Sequence, residues 1–317
     1  MYYRVIPYEQ SFDSYGLIYK IPESYTSYEL IGRVGEFPFG KKTFRGIFAE
    51  ILDEFSLSDL KYEVKEMQGL ISGTQILSPH EIEMIDFIAK YYFCQIHLAG
   101  KLYLSGNLLK EISSLKYFSR KQGVYKYKSQ IIQLTTAQSE IYKKLRELPV
   151  GSTSLLYGVT GSGKTQIYIK LIEDTLKAGG QSLLLIPEIN LTSQIGEKLQ
   201  KHFGDDVILI HSGISAVKKV QYFKDISLGN ARIIIGTRSA LFYPYKNLKY
   251  IIIDEEHDKS YISDTSPRYH VKTLALKMSK IYNCSILLGS GTPELTSLYK
   301  GLSGEYHLFQ MLESYKK

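Results

Sequence analysis

A chain of 317 residues with 44% hydrophobic and 22% charged residues is long enough for two or three domains, and it lacks both the charge excess and the apolar poverty of a disordered protein. Its two cysteines, Cys94 and Cys284, lie far apart with no second Cys or His at ligand spacing; this excludes a disulfide scaffold and a zinc cluster and fits a reducing, cytoplasmic setting. The excess of 39 Lys and Arg over 32 Asp and Glu gives a net charge of +7, a mild attraction to polyanions whose distribution matters more than its size.

The amino terminus, MYYRVIPYEQ, reaches a proline and polar residues before any apolar run can form a signal-peptide core. Apolar stretches such as Leu183 to Ile186 and Ile251 to Ile253 are strand-sized, far short of the roughly 20 residues of a membrane helix, so no membrane partner is expected. Residues 1–68 carry short alternating stretches broken by turns, Leu17 to Ile21 before Pro22 and Arg33 to Phe37 before Pro38 to Gly40. These predict a small β-rich domain. In the next region, 69–128, Ser78 as N-cap and Pro79 at the first helical position precede HEIEMIDFIAKYYFCQI. Its apolar residues recur at spacings of three and four, which predicts a helix.

Residues 101–128 then hold Lys101, Lys110, Lys116, Arg120, Lys121, Lys126 and Lys128 against Glu111 alone, a net of +6, interleaved with Tyr103, Tyr117, Phe118, Tyr125 and Tyr127. Cations that neutralise phosphates and rings that stack on bases suit a nucleic-acid face. A solvated linker whose rings cover a neighbouring domain is the other reading.

Over 129–317 the texture becomes apolar strand candidates alternating with helix-length segments: Ser154 to Tyr157, Ser182 to Ile186, Val207 to Ile210, Arg232 to Ile235, Tyr250 to Ile253 and Ser285 to Leu288. This α/β pattern predicts a parallel sheet covered by helices on both faces. Gly158-Val-Thr160-Gly161-Ser162-Gly163-Lys164-Thr165 satisfies G-x-x-x-x-G-K-[ST], follows one of these strands and opens a helix, which is the setting a phosphate-binding loop requires. Its N–H groups and the helix N-terminus can cradle a triphosphate, with Lys164 reaching the β and γ phosphates and the Thr165 hydroxyl on Mg²⁺. A purely structural glycine turn is the alternative. Asp254-Glu255-Glu256-His257 ends the strand Tyr250 to Ile253, which delivers carboxylates to the same edge of a parallel sheet. Asp254 is then a second Mg²⁺ ligand and Glu255 the general base for water, against the reading of a solvated acidic cap. His257 either satisfies a local backbone group or takes a coupling role.

The order of these signals resembles the DEAH-like superfamily 2 helicases and, within them, the primosomal protein N′ family of replication-restart DNA helicases. The resemblance lies in LTTAQ at 134–138, GVTGSGKT at 158–165, LLLIPEINLTSQI at 183–195, HSG at 211–213, GTRSALFYPYKNLKYIIIDEEHDKSY at 236–261, RYH at 268–270 and LGSGTPELTSL at 288–298. It implies a RecA-like lobe that binds ATP and Mg²⁺, preceded by a domain that captures a DNA 3′ end and a winged-helix-like module. It also implies that Gln138 reads the adenine edge, the other reading being a polar residue at a helix start, that Arg238 contacts single-stranded DNA, the other reading being a surface salt bridge, and that Ser290 and Thr292, with His257, couple the nucleotide site to DNA. Gly291 stands where the family usually has Ala, which loosens that backbone. The front domain resembles the family through Arg33-Val34, Phe37 to Lys41 and Arg45 to Ile47, and Lys41 is the nominee there for DNA contact beside Lys116, Arg120 and Lys121. Forked or single-stranded DNA, DNA with a free 3′ end, other primosome proteins and a single-strand-binding protein are the partners implied. About twenty residues follow Leu298, so a second lobe, its arginine finger and a zinc insert are expected to be missing, and zinc is not expected as a cofactor. Whether the chain works as an ATP-driven helicase or as a nucleotide-sensitive scaffold that recognises forks without moving is left open by the sequence.

Overall fold

The computed structural model describes residues 1–8, 15–53, 63–113, 126, 132–159, 161–187, 194–204 and 207–312. Met1–Arg120 with Asp264–Tyr269 form one compact unit, and Lys121–Ser263 with His270–Lys317 form a second. Among the described residues, no helix is long and apolar enough to cross a membrane.

The first unit is built on an antiparallel sheet of β1 (Tyr2–Pro7), β2 (Leu17–Lys20), β3 (Val34–Phe39), β4 (Lys42–Leu52) and β5 (Gly69–Leu70), in the order β2-β1-β4-β3-β5. Aromatic and β-branched residues favour such a pleated, half-buried surface. Tyr3, Tyr19, Phe37, Phe44 and Phe48 gather over one core, with Tyr3 edge-on to Phe48 at 5.5 Å between ring centroids, a favoured aromatic arrangement. Three helices follow, α1 (Pro79–Tyr91), α2 (Ile96–Tyr103) and α3 (Gly106–Ser113). Helix α1 starts where the sequence places it: the Ser78 hydroxyl accepts from His80 N, and Ser78 N donates to Glu81 Oε2 at 2.6 Å, so free N–H groups of the helix start are satisfied. The Arg4 guanidinium, 3% exposed, donates to both carboxylate oxygens of Asp86 and to Glu50. A planar fork matched to a carboxylate in this way ties α1 to the sheet. No strand lies between α1 and the helix at Thr136 among the described residues.

The second unit carries α4 (Thr136–Glu147), β6 (Thr153–Gly158), α5 (Lys164–Lys177), β7 (Gln181–Leu185), α6 (Gln194–Phe203), β8 (Ile208–Ile210), α7 (Ala216–Ser227), β9 (Ile233–Gly236), β10 (Leu248–Ile253), α8 (Val271–Tyr282), β11 (Ser285–Ser290), α9 (Leu295–Leu302) and β12 (His307–Met311). Its seven strands pair in parallel in the order β12-β6-β11-β10-β7-β9-β8. Leu183 to Leu185, Ile233 to Ile235 and Ile251 to Ile253 are all fully buried, as expected of strands covered on both faces. The fold is therefore α/β: a RecA-like lobe and an antiparallel front domain. Because all the strands run the same way, β6, β9, β10 and β11 deliver Gly158, Gly236, Ile253 and Ser290 to one carboxyl edge, where ligands bind in open α/β sheets.

Candidate nucleotide site

The loop from Gly158 to Gly163 leaves β6 and enters α5. Gly161 and Gly163 stand at φ +79° and +91°, a left-handed region that glycine enters without steric cost, and this turns the chain sharply into the helix. Space is also limited: a side chain on Gly163 would collide with the Gln138 amide, and one on Gly158 would meet Ser162 Oγ at 2.7 Å. Ser162 Oγ is buried without a hydrogen-bond partner. A cradle of N–H groups at a helix start, lined by small residues and holding an unpartnered hydroxyl, fits a phosphate chain. Thr165 is half-buried in the first turn of α5, and Thr160 lies outside the described residues.

Lys164 is 7% exposed, and its Nζ donates to Gly158 O at 2.8 Å and lies 3.5 Å from Glu255 Oε1. The P-loop cation and the strand-end carboxylate are therefore brought together across the edge. Glu255 adopts φ +45°, a conformation uncommon outside glycine that persists where the surroundings dictate it. Its Oε2 accepts from Gly291 N at 3.2 Å and lies 3.6 Å from His257 Nδ1. His257 joins the two hydroxyls, with Nδ1 2.8 Å from Ser290 Oγ and Nε2 3.2 Å from Thr292 Oγ1. Ser290 Oγ also accepts from Thr292 N. The pair singled out around Gly291 is thus physically joined to the acidic motif.

Gln138 belongs to a capping box at the start of α4: Thr135 Oγ1 accepts from Gln138 N, and Gln138 Oε1 accepts from Thr135 N at 3.0 Å. Its Nε2 donates to Ser162 O at 3.1 Å, so both amide atoms are engaged between the helix start and the phosphate loop. Arg238 follows β9 at the same sheet edge, and its Nη1 donates to Ile262 O at 2.7 Å. Lys41 is exposed in the turn from β3 to β4, next to Gly40, which with Leu17, Tyr19, Phe39 and Lys65 lines a cavity of about 240 Å³. Lys116, Arg120 and Lys121 fall outside the described residues. Of their segment, Lys101, Lys110 and Lys126 are exposed, whereas the Tyr103 ring is buried in the core and offers no face for stacking.

Asp254 is 3% exposed, and burial is the main force that pushes its carboxyl up to about 6, with the Tyr168 hydroxyl and Lys164 pulling it down and Glu255 adding to the rise. The native state therefore holds a proton more tightly than the unfolded chain does. The cost of the ionised group is small below about pH 4, grows up to about pH 6 and is fully present above it. Asp254→Asn removes the charge and keeps an acceptor for Tyr168, so it is expected to raise the melting temperature by several degrees at about pH 7.5 and by clearly less near pH 4.5. A difference that does not change with pH, measured by scanning fluorimetry, contradicts this assignment of the cost.

Sequence reasoning passed over Tyr168, Tyr261 and Gly289. The Tyr168 hydroxyl donates to Asp254 Oδ1 at 2.9 Å and the Tyr261 hydroxyl to Asp254 O at 2.7 Å. The available signal was a tyrosine inside the apolar helix QIYIKLI, since a buried hydroxyl needs a partner.

A glycine-rich loop at a helix start, facing an acid-ended strand across the edge of a parallel sheet, defines a P-loop nucleotide-binding lobe of the RecA type. Residues 135–300 match the DEAD/DEAH box helicase family, and the chain belongs to that family. Residues 6–105 match the 3'DNA-binding domain (3'BD). The chain is 38% identical over 214 residues to the replication restart protein PriA of Bacillus subtilis, covering 67% of this chain and 27% of that protein. It is 36% identical over 280 residues to the replication restart protein PriA of Helicobacter pylori strain J99, covering 87% of this chain and 42% of that protein. A solved structure of the Pyrococcus furiosus Hef helicase domain aligns with a TM-score of 0.42 at 20% identity, over 56% of this chain and 38% of that one. The chain thus spans less than half the length of the curated relatives it matches.

Proposed function

We propose that this chain is the nucleotide-binding and DNA-end-binding part of a replication-restart DNA helicase, using Mg·ATP and acting on forked or single-stranded DNA or DNA with a free 3′ end. The observation that carries this reading is the approach of Lys164 Nζ to Glu255 Oε1 at 3.5 Å, beside a His257 that touches both Ser290 and Thr292. The similarity to replication restart proteins and the match to a 3'DNA-binding domain support it.

When bound, ATP supplies the phosphoryl group and Mg²⁺ neutralises charge on its oxygens. Lys164 exchanges Gly158 O and Glu255 for phosphate oxygens, and Gly158, Thr160, Gly161, Ser162 and Gly163 are the loop residues that would contact the phosphate chain. The Thr165 hydroxyl and the Asp254 carboxylate are the groups that would hold the metal. Glu255 takes a proton from the attacking water. Gln138 supports the loop through Ser162 O, and it can reach an adenine edge only after its present bonds open. His257, Ser290 and Thr292 pass a change at Glu255 to the segment after β11. Arg238 contacts the single-strand backbone, and Lys41, Lys116, Arg120 and Lys121 contact DNA phosphates. Other primosome proteins and a single-strand-binding protein are further proposed partners, in the cytoplasm.

The test pairs fork-DNA binding with ATPase on one preparation. Branched DNA with a free 3′ end is expected to bind better than a blunt duplex, and to stimulate ATP hydrolysis if the chain is a motor. Binding without hydrolysis at any DNA concentration favours the scaffold reading. Neutralising Lys116, Arg120 and Lys121 is expected to flatten the slope of log affinity against log salt by about two to three units, since each phosphate contact contributes about 0.7 to 0.9. An unchanged slope assigns that segment to a linker.

A further inference from the structure

Asp254 is held at three points before any ligand arrives. Its N–H donates to Leu185 O at 2.9 Å, its carbonyl accepts from the Tyr261 hydroxyl, and its Oδ1 accepts from the Tyr168 hydroxyl. Tyr168 is fully buried, and burial pushes its phenol well above the usual range, so it remains a donor at any working pH. Gly289 makes room for it. This glycine lies within β11, at neither a turn nor a positive φ, yet a Cβ there would collide with the Tyr168 hydroxyl and stand 3.5 Å from Asp254 Oδ1. A glycine in the middle of a buried strand is explained by a close approach of this kind.

We infer that Tyr168, admitted by the missing side chain of Gly289, is a positioning residue that engages Asp254 Oδ1 and so presents Oδ2 alone to a hydrated divalent cation. The inference rests on the nucleotide-site reading above and deepens it. A buried carboxylate with neither oxygen held samples a range of rotations about its Cβ–Cγ bond, and a metal that needs one setting of the carboxylate plane binds with that fraction of its intrinsic affinity. A fixed donor on one oxygen removes the choice, as partners behind metal ligands do in general.

The experiment titrates Mg²⁺ against the binding of a fluorescent N-methylanthraniloyl ATP analogue by the full chain, with a parallel series in EDTA. Tyr168→Phe keeps the ring and removes only the hydroxyl. It is expected to raise the Mg²⁺ concentration at half-saturation by a factor of about two to five, because the carboxylate then holds the required setting for only a fraction of the time, and to leave metal-free nucleotide binding unchanged. Gly289→Ala, which displaces the hydroxyl without deleting it, is expected to shift the same midpoint in the same direction and carries the test if Tyr168→Phe fails to fold. Tyr261→Phe, which loses a bond to the backbone only, is expected to lower the melting temperature with the Mg²⁺ midpoint near that of the parent. Midpoints unchanged in folded Tyr168→Phe and Gly289→Ala, or an equal shift in Tyr261→Phe, overturn the inference alone. A parent chain that binds the analogue in neither series overturns the nucleotide-site reading and the inference with it.

Discussion

Lys164→Ala is expected to weaken ATP binding at least a hundredfold, roughly, with the fold intact. The lysine is buried at the start of α5, and its ammonium is committed to one carbonyl and one carboxylate, Gly158 O at 2.8 Å and Glu255 Oε1 at 3.5 Å. Both partners are oxygens, which phosphate oxygens can replace in kind. A charge-assisted hydrogen bond contributes about 1.5 to 3 kcal/mol, and a lysine that bridges two phosphates makes more than one, so a loss of about two powers of ten is the lower bound. The fold tolerates the change because the helix start depends on Gly163 and the Gln138 amide rather than on the ammonium. Calorimetric titration with ATP measures the effect, and equal affinity in parent and variant removes the phosphate role from this loop. The control is Lys164→Arg, which keeps the charge but brings a planar fork too large for the space between Gly158 and Glu255, so it is expected to recover only part of the affinity.

The second unit was legible because its strands are buried on both faces. Continuous apolar runs gave six of its strands to within a residue or two, from Thr153–Gly158 to Ser285–Ser290. The edge strand β12, His307–Met311, escaped because HLFQM holds no apolar run longer than two residues and only Met311 is buried. The phosphate loop and the acidic motif were equally legible, since each sits where a strand ends and a short spacing fixes its geometry. The assembly around them was not. Tyr168 and Gly289 lie 121 residues apart in sequence and meet Asp254 only through the parallel pairing of β10 with β11. Gln138 was read by resemblance as a nucleotide contact. Its place in a capping box, the helix-start reading of the same residue, follows from T-x-x-Q alone. In the aromatic-basic segment at 101–128, Tyr103 is buried in the core while Lys101 and Lys110 are exposed, and Tyr117, Phe118, Tyr125 and Tyr127 lie outside the described residues.

Lys272→Ala is expected to cost about 3 to 5 kcal/mol of stability, the largest effect of any single substitution considered. Glu256 lies between the proposed general base Glu255 and His257 and is fully buried. Its Oε1 accepts from Glu294 N at 2.8 Å, and its Oε2 accepts from Lys272 Nζ at 2.7 Å and from Ser297 Oγ at 3.0 Å. Lys272 also pairs with Glu294 and donates to Ser297 Oγ at 2.9 Å. Every oxygen of this carboxylate is satisfied, and the ammonium is the only cation against it in these bonds. Removing it leaves an uncompensated buried charge, whose usual penalty is that large, whereas replacing both partners by neutral groups of similar size costs far less. The double variant Glu256→Gln with Lys272→Met is therefore expected to be more stable than Lys272→Ala alone, an ordering that urea titration can check and that simple loss of packing would reverse. The cluster also joins the end of β10 to the starts of α8 and α9, two residues beyond Thr292. Its loss is expected to speed hydrogen exchange at the Gly291 and Thr292 amides, which the Glu255 and Ser290 side chains now hold. Unchanged exchange there, in a variant shown to be destabilised, would separate the buried charge from the coupling segment and confine Lys272 to the stability of the lobe.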